Sequence, residues 1–217
     1  VRNVVEAYGF CEGMTYSFES PKVYDKLNLA QNDVLRKSIV ISNPLGEDYS
    51  VMRTSALGGM LTSLATNYNR RNKDVRLYEL ANVYLPKQLP LTELPDERVQ
   101  LTMGMYGEGD FYAMKGVIEE ILTRLSLKGT VTYDPAAQKS FLHPGRQAKV
   151  IYEGKEIAYF GEVHPTVLKN FAIGQRAYVA VVDLAELIAM PKEAVKYTGV
   201  AKFPAMTRDI SLMMKKE

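Results

Sequence analysis

The stretch "FLHPGRQAKVIYEGKEIAYFGEVHP" holds both histidines of the chain, His143 and His164, and each is followed by proline. Imidazole nitrogens ligate metals and carry protons near neutral pH, so the pair invites an active-site reading. The two stand 21 positions apart, at opposite ends of a run that alternates like two strands joined around Glu153-Gly154. An extended hairpin returns the chain to its start, so this spacing permits a joint site. A metal centre would still want a third ligand, and the sequence has no HExxH or CxxC pattern. Proline gives a plainer account of both pairs. It fixes φ, removes an N–H and pushes the histidine before it toward extended geometry, which ends strands.

The remaining candidates are charged. Arg146, just after a Pro-Gly turn, carries a guanidinium that could hold a carboxylate or phosphate bidentately, or serve a structural ion pair. "ISNPLGEDYSVMRTS" places Glu47, Asp48 and Arg53 around a turn before a helix. Carboxylates there fit Mg²⁺, and they fit equally a solvated loop and a helix start. "NYNRRN" sets Tyr68 beside Arg70 and Arg71, an aromatic-basic mixture that can touch RNA and that also occurs at solvated helix ends. GxSxG, a GxGxxG opening a helix after a strand, and GxxxxGK[ST] are all missing. Residue types and spacing alone name no reaction.

The elements that must position these residues are easier to read. "VRNVVEAY" has Val1, Val4, Val5 and Tyr8 at helical spacing, as though a longer helix had lost its beginning, and Gly9 stops it. "MTYSF" and "SIVISNP" read as strands, with a short helix from Pro21 to about Leu29 between them. Leu57, Met60, Leu61, Leu64 and Tyr68 mark an amphipathic helix with Thr54 or Ser55 as its cap. Gly58 and Gly59 weaken that helix by about 1 kcal/mol each relative to Ala, so they belong to its first turn or admit a close neighbour. "VRLYELANVYL" and "VQLTMGMYG" form a hairpin with a long Pro-rich connection. Asp110 caps a helix whose apolar face runs from Phe111 to Leu125. "TVTYD", the histidine-flanked hairpin, "HPTVLKNF", "AYVAVVDL" and "LAELIAM" follow, and "RDISLMMKKE" alternates like a strand after Pro204. Mostly hairpin-type neighbours predict an α+β fold, an antiparallel-rich mixed sheet with flanking helices.

Composition narrows the class. The 217 residues are 47% apolar and 24% charged, ordinary for a globular unit with a sizeable core. A net charge of +2 is too small to predict nucleic-acid binding from electrostatics, so any RNA contact must be local. The one cysteine, Cys11, excludes an internal disulfide and suits the cytoplasm. No membrane span or signal peptide is visible. Both ends read as cut, which predicts an excised domain.

Taken in order, "GFCEGMTYSF", "NPLGEDYSVMRTSALGGMLTSLATNYNRR", "VRLYELANVY", "GDFYAMKGVIEEIL", "HPGRQAKVIYEGKEIAYFGEVHP" and "KFPAMTRDISL" resemble the bacterial phenylalanine-tRNA ligase beta subunit over nearly the whole chain. The resemblance implies a class II aminoacyl-tRNA synthetase-like core over residues 1–200. Residues 201–217 would be a linker and the start of an anticodon-binding domain. It implies a non-catalytic copy. The alpha subunit carries the site for ATP, Mg²⁺ and phenylalanine, and two chains of each kind form a heterotetramer acting on tRNA(Phe). No cofactor is expected in this segment.

Class II sites need one arginine on a strand near an acid and a second in a Gly-rich strand-helix segment. Here those places read "RLYELANVY", with Arg76 and Glu79 at an unconvincing spacing, and "YVAVVDLAELIAM", with neither Gly nor Arg. Without those cations the charge developing in adenylation lacks support. The interface or structural candidates are then Tyr8, Phe10, Arg53, Arg70, Arg71, Glu79, His143, Arg146 and His164. Two rivals stand beside this reading: an adenylating enzyme that converges Arg53, Arg76 and Arg146 on one pocket, and an RNA-binding module using Arg70 and Arg71.

Overall fold

Strand β4 (Val75–Leu85) pairs with β5 (Asp96–Tyr106) through a continuous antiparallel register from Val75↔Tyr106 to Leu85↔Asp96. This is the hairpin that the alternating sequence predicts. A computed structural model describes residues 1–197 and 199–214. It builds outward from that pair. β9 (Ala177–Asp183) joins β5, then β8 (Lys155–Val163), β7 (Leu142–Tyr152) and β6 (Val131–Asp134), while β1 (Cys11–Glu12) closes the other edge as a seventh strand. β1 runs parallel to β4, and every other neighbouring pair in this sheet is antiparallel.

Successive residues of a strand face opposite ways, and both faces here are apolar. Tyr178, Ala180 and Val182 of β9 join a core with Met114, Val117, Ile118 and Ile121 of helix α4 (Phe111–Arg124) and Val5 of α1 (Arg2–Ala7). Ala177, Val179 and Val181 join a second core with Leu57, Leu61 and Leu64 of α3 (Leu57–Asn69) and Val167 and Leu168 of α5 (Pro165–Asn170). The sheet is thus covered on both sides, which explains β9's nearly unbroken apolar run. Asp110 caps α4 by accepting from the Ala113 N–H at 2.8 Å.

Four sequence expectations fail in detail. Within Met14–Phe18 only Phe18 enters a strand, the two-residue β2 (Phe18–Glu19), which pairs with β3 (Val51–Met52). Met14 and Tyr16 project into solvent, and the Thr15 N–H donates to a side chain rather than to a neighbouring strand. "SIVISNP" makes one bridge, Val40↔Val51. A 3-10 turn at Val34–Arg36 precedes it and Pro44 follows it, leaving no length for a ladder. The alternating run after Pro204 forms no strand over residues 205–214, and its last three residues lie outside the described ones. Alternation supplies a face, but a strand also needs a partner. Helix α2 (Val23–Lys26) is shorter than predicted, and α6 (Leu184–Ala189) follows β9 directly.

Candidate functional site

Arg53 leaves β3 and turns inward just before α3, and β4 presents Glu79 to it. The guanidinium Nη1 lies 2.9 Å from a Glu79 carboxylate oxygen, with the two side chains 5% and 3% exposed. Nη1 also donates to the Thr15 hydroxyl at 3.0 Å, and Nε donates to the Asn82 carbonyl at 2.8 Å. Glu79 accepts in turn from the Thr15 N–H at 3.2 Å and its hydroxyl at 2.8 Å. Desolvated charges are tolerated when paired and hydrogen-bonded in this way. The pair ties the segment before β2 to the central hairpin and to the root of α3. Both residues are visible in sequence as candidates; Thr15, which joins them, is not.

Beside this pair a cavity of about 620 Å³ opens between α2, α3 and residues 14–20. Gly58 and Gly59 sit in the first turn of α3, where both sequence explanations hold at once. A Cβ on Gly58 would fall 2.4 Å from Val23 Cγ2, and one on Gly59 would fall 2.6 Å from Thr15 Oγ1. The helix cap is less regular than predicted. Ser55 Oγ accepts from the Leu57 N–H at 3.3 Å, while the Thr54 hydroxyl donates to the Leu35 carbonyl. Glu19 borders the cavity, and burial pushes its carboxyl up to about 8, an effect the Arg53 charge only partly opposes.

The histidines lie toward the same end of the β7–β8 pair, since Leu142 pairs with Val163. Their ring nitrogens serve local turns instead of a shared centre. His143 Nδ1 accepts from the Gly145 N–H at 3.1 Å, and His164 Nδ1 accepts from the Thr166 N–H at 3.1 Å, capping α5. Arg146 reaches Glu162 at 2.9 Å and His143 Nε2 at 3.1 Å. Glu162 is buried on β8 and lies 3.9 Å from Arg176 as well. It went unnoticed in sequence, where its one signal is an acid at a core position of a strand. Among the described residues no group of three or more His, Cys, Asp or Glu side chains is arranged to hold a metal.

The other candidates lie apart. Phe10 is buried in the core with Tyr78, whereas Tyr8 keeps an exposed ring and lends its carbonyl to Arg76 at 3.0 Å. A second Arg76 nitrogen donates to the Glu108 carbonyl. Arg70 caps the C-terminal end of α3, and Arg71 follows at φ 64°, both exposed. Tyr68 turns inward to an edge-on contact with Tyr106, at 6.1 Å between ring centres, so the aromatic-basic cluster does not form on the surface. Arg53, Arg76 and Arg146 therefore hold three separate sets of partners.

Comparison with known proteins agrees with this architecture. The family model described as the phenylalanyl tRNA synthetase beta chain CLM domain matches residues 1–184. The chain is 38% identical over 217 residues to the phenylalanine–tRNA ligase beta subunit of Clostridium acetobutylicum, covering all of this chain and 27% of that one. It is 40% identical over 210 residues to that of Clostridium tetani, covering 96% and 26%. It thus spans about a quarter of the length of these curated relatives. A pyrrolysyl tRNA synthetase from Desulfitobacterium hafniense superposes with a TM-score of 0.66 at 12% identity, over 86% of this chain and 64% of that one. At that identity the likeness is one of fold, and it agrees with the predicted class II synthetase-like core. By the match over residues 1–184, this chain belongs to the phenylalanyl-tRNA synthetase beta-chain CLM domain family.

Proposed function

We propose that this domain is a non-catalytic core that supports the catalytic alpha subunit in the aminoacylation of tRNA(Phe), within an assembly of two alpha and two beta chains. ATP and Mg²⁺ act in the partner chain, and residues beyond about 200 lead toward a further domain. The observation that carries this reading is the separate engagement of Arg53, Arg76 and Arg146 with Glu79, with backbone carbonyls and with Glu162. Adenylation needs cations held ready for a triphosphate, and these three are neither convergent nor free. The sheet edge suits a partner. β1 pairs on one side only, and Tyr8 and Val1 of the preceding helix are 40% and 37% exposed. An open edge strand with apolar neighbours is a surface that association covers.

The test has two arms. Mixed with the catalytic alpha chain, the domain co-elutes with it; alone, it catalyses no ATP–pyrophosphate exchange with or without phenylalanine. Exchange by the chain alone that vanishes in Arg76→Ala would overturn the proposal.

A further inference from the structure

Two carboxyl groups of the cavity beside α3, Glu19 and Asp48, form no ion pair among the described residues. Its polar lining includes Thr15, Glu19, Lys22, Lys26, Asp48 and Arg53, and aromatic rings of Tyr16, Phe18, Tyr49 and Phe171 supply much of the rest. Each of the cations already has a partner. Lys22 holds Glu47 at 2.8 Å, Lys26 lies 5.7 Å over the Phe171 ring, and Arg53 faces Glu79 at 2.9 Å. Glu19 makes no ion pair among the described residues. Its carboxylate nonetheless sits against the first turn of α3, where Oε2 would come 3.0 Å from a Cβ on Gly58. Tyr24, buried beneath on α2, turns its hydroxyl toward Glu19, Ser38 and Thr54. Tyr16 and Tyr49 stand edge-to-face at 5.7 Å and are 69% and 39% exposed, so two aromatic rings border the cavity where it meets solvent.

We propose that this cavity is a binding site for a small organic cation with a flat apolar body, whose amidinium, guanidinium or ammonium head pairs with Glu19 while its body lies among Tyr16, Tyr49 and Phe171. A volume of about 620 Å³ falls in the range of small-molecule sites, apolar walls with a few placed polar groups. Electron-rich rings at the entrance attract cations. Burial that keeps the Glu19 carboxyl protonated until a cation enters makes binding release a proton. The titratable and charged groups around Glu19 are Lys22 at the start of α2, Tyr24 and Lys26 of α2, Asp48 of the turn before β3, and Arg53. None of this depends on the alpha subunit or on the proposed role of the domain.

Benzamidine and its neutral isostere benzamide are suitable probes, titrated calorimetrically into the chain in two buffers of different ionisation enthalpy. Benzamidine binds saturably at pH 7 and releases close to one proton. Its affinity rises about fivefold from pH 7 to pH 8, as the ionised fraction of Glu19 grows from about a tenth to a half. Benzamide binds at least tenfold more weakly. Glu19→Gln removes the preference for the cation without lowering the melting temperature, and Tyr16→Ala, at an exposed position, weakens both probes. Equal binding of the two probes, binding without proton release, no saturable binding, or an unaltered preference in Glu19→Gln would each overturn the proposal.

Discussion

Replacing Arg53 with Met separates a structural cation from a nucleotide-binding one. The substitution removes the 2.9 Å contact to Glu79, the 3.0 Å contact to Thr15 and the 2.8 Å bond to the Asn82 carbonyl, while leaving a flexible side chain of similar reach. Glu79, 3% exposed, keeps only the Thr15 N–H and hydroxyl as donors. Breaking a buried pair in this way costs about 3–5 kcal/mol, because the remaining charge stays desolvated. At about 2–4 °C per kcal/mol for a chain of this length, the melting temperature falls by roughly 6–20 °C. Adding Glu79→Gln removes the stranded charge while an amide oxygen still accepts from Thr15. The double variant is then less destabilised than the sum of the singles by about 1–3 kcal/mol. Urea denaturation followed by far-ultraviolet circular dichroism on the four proteins measures the cycle. A loss below about 1 kcal/mol for Arg53→Met, or strict additivity, would refute the structural pairing and return Arg53 to the list of ligand-holding residues.

Two further substitutions test the same corner of the molecule. Gly59→Ala loses about 1–3 kcal/mol in urea melts, since its Cβ would fall 2.6 Å from the Thr15 hydroxyl that holds Glu79, outweighing the roughly 1 kcal/mol helix preference of Ala. Gly116→Ala in α4, with open space around the new methyl, gains about 0.5–1 kcal/mol instead; equal effects at both sites would refute the packing argument. Glu19→Gln changes the pH dependence of stability. The folded carboxyl titrates near 8 and the unfolded one near 4.5, so the folded state binds more protons between those values, and the parent loses stability as pH rises through that window. The Gln variant lacks that loss, so its advantage grows from pH 4.5 to pH 8, by up to roughly 4 kcal/mol, and is constant outside the window. Melts at pH 5 and pH 8.5 that show a pH-independent difference would refute it.

What sequence revealed follows from how local each signal is. The β4–β5 and β7–β8 hairpins and the capped α4 are each specified by periodicity and turn residues within some thirty positions, and all three are present. Met14–Phe18 alternates as well as they do, yet Thr15 donates both its N–H and its hydroxyl to Glu79, 64 positions away. No window around Thr15 contains that information. For the same reason Arg53 is visible as a cation at a turn before a helix and Glu79 as an acid near Arg76 on a strand, while their pairing across 26 positions is not. Glu19 and Glu162 were missed because an acid in an alternating stretch is read as facing water. Burial of a carboxylate is a property of what packs over it, here α3 and the ends of β7 and β8.

The internal pairing also bears on what such a sheet can still do. A cation that is to grip a phosphate must remain poorly satisfied in the empty protein, because any carboxylate already bound to it has to be displaced and left desolvated when the ligand arrives. Arg53 and Glu79 are arranged the opposite way, with the charge matched inside the fold and anchored by Thr15. A triphosphate reaching Arg53 would strand Glu79 beneath it, at about the same cost as deleting the arginine. The contacts that hold α3, β4 and the segment before β2 together are thus the ones that oppose nucleotide binding there. Glu19, which has no ion pair and is pushed up to about 8 by burial, is the carboxyl of this cavity that an entering cation could ionise.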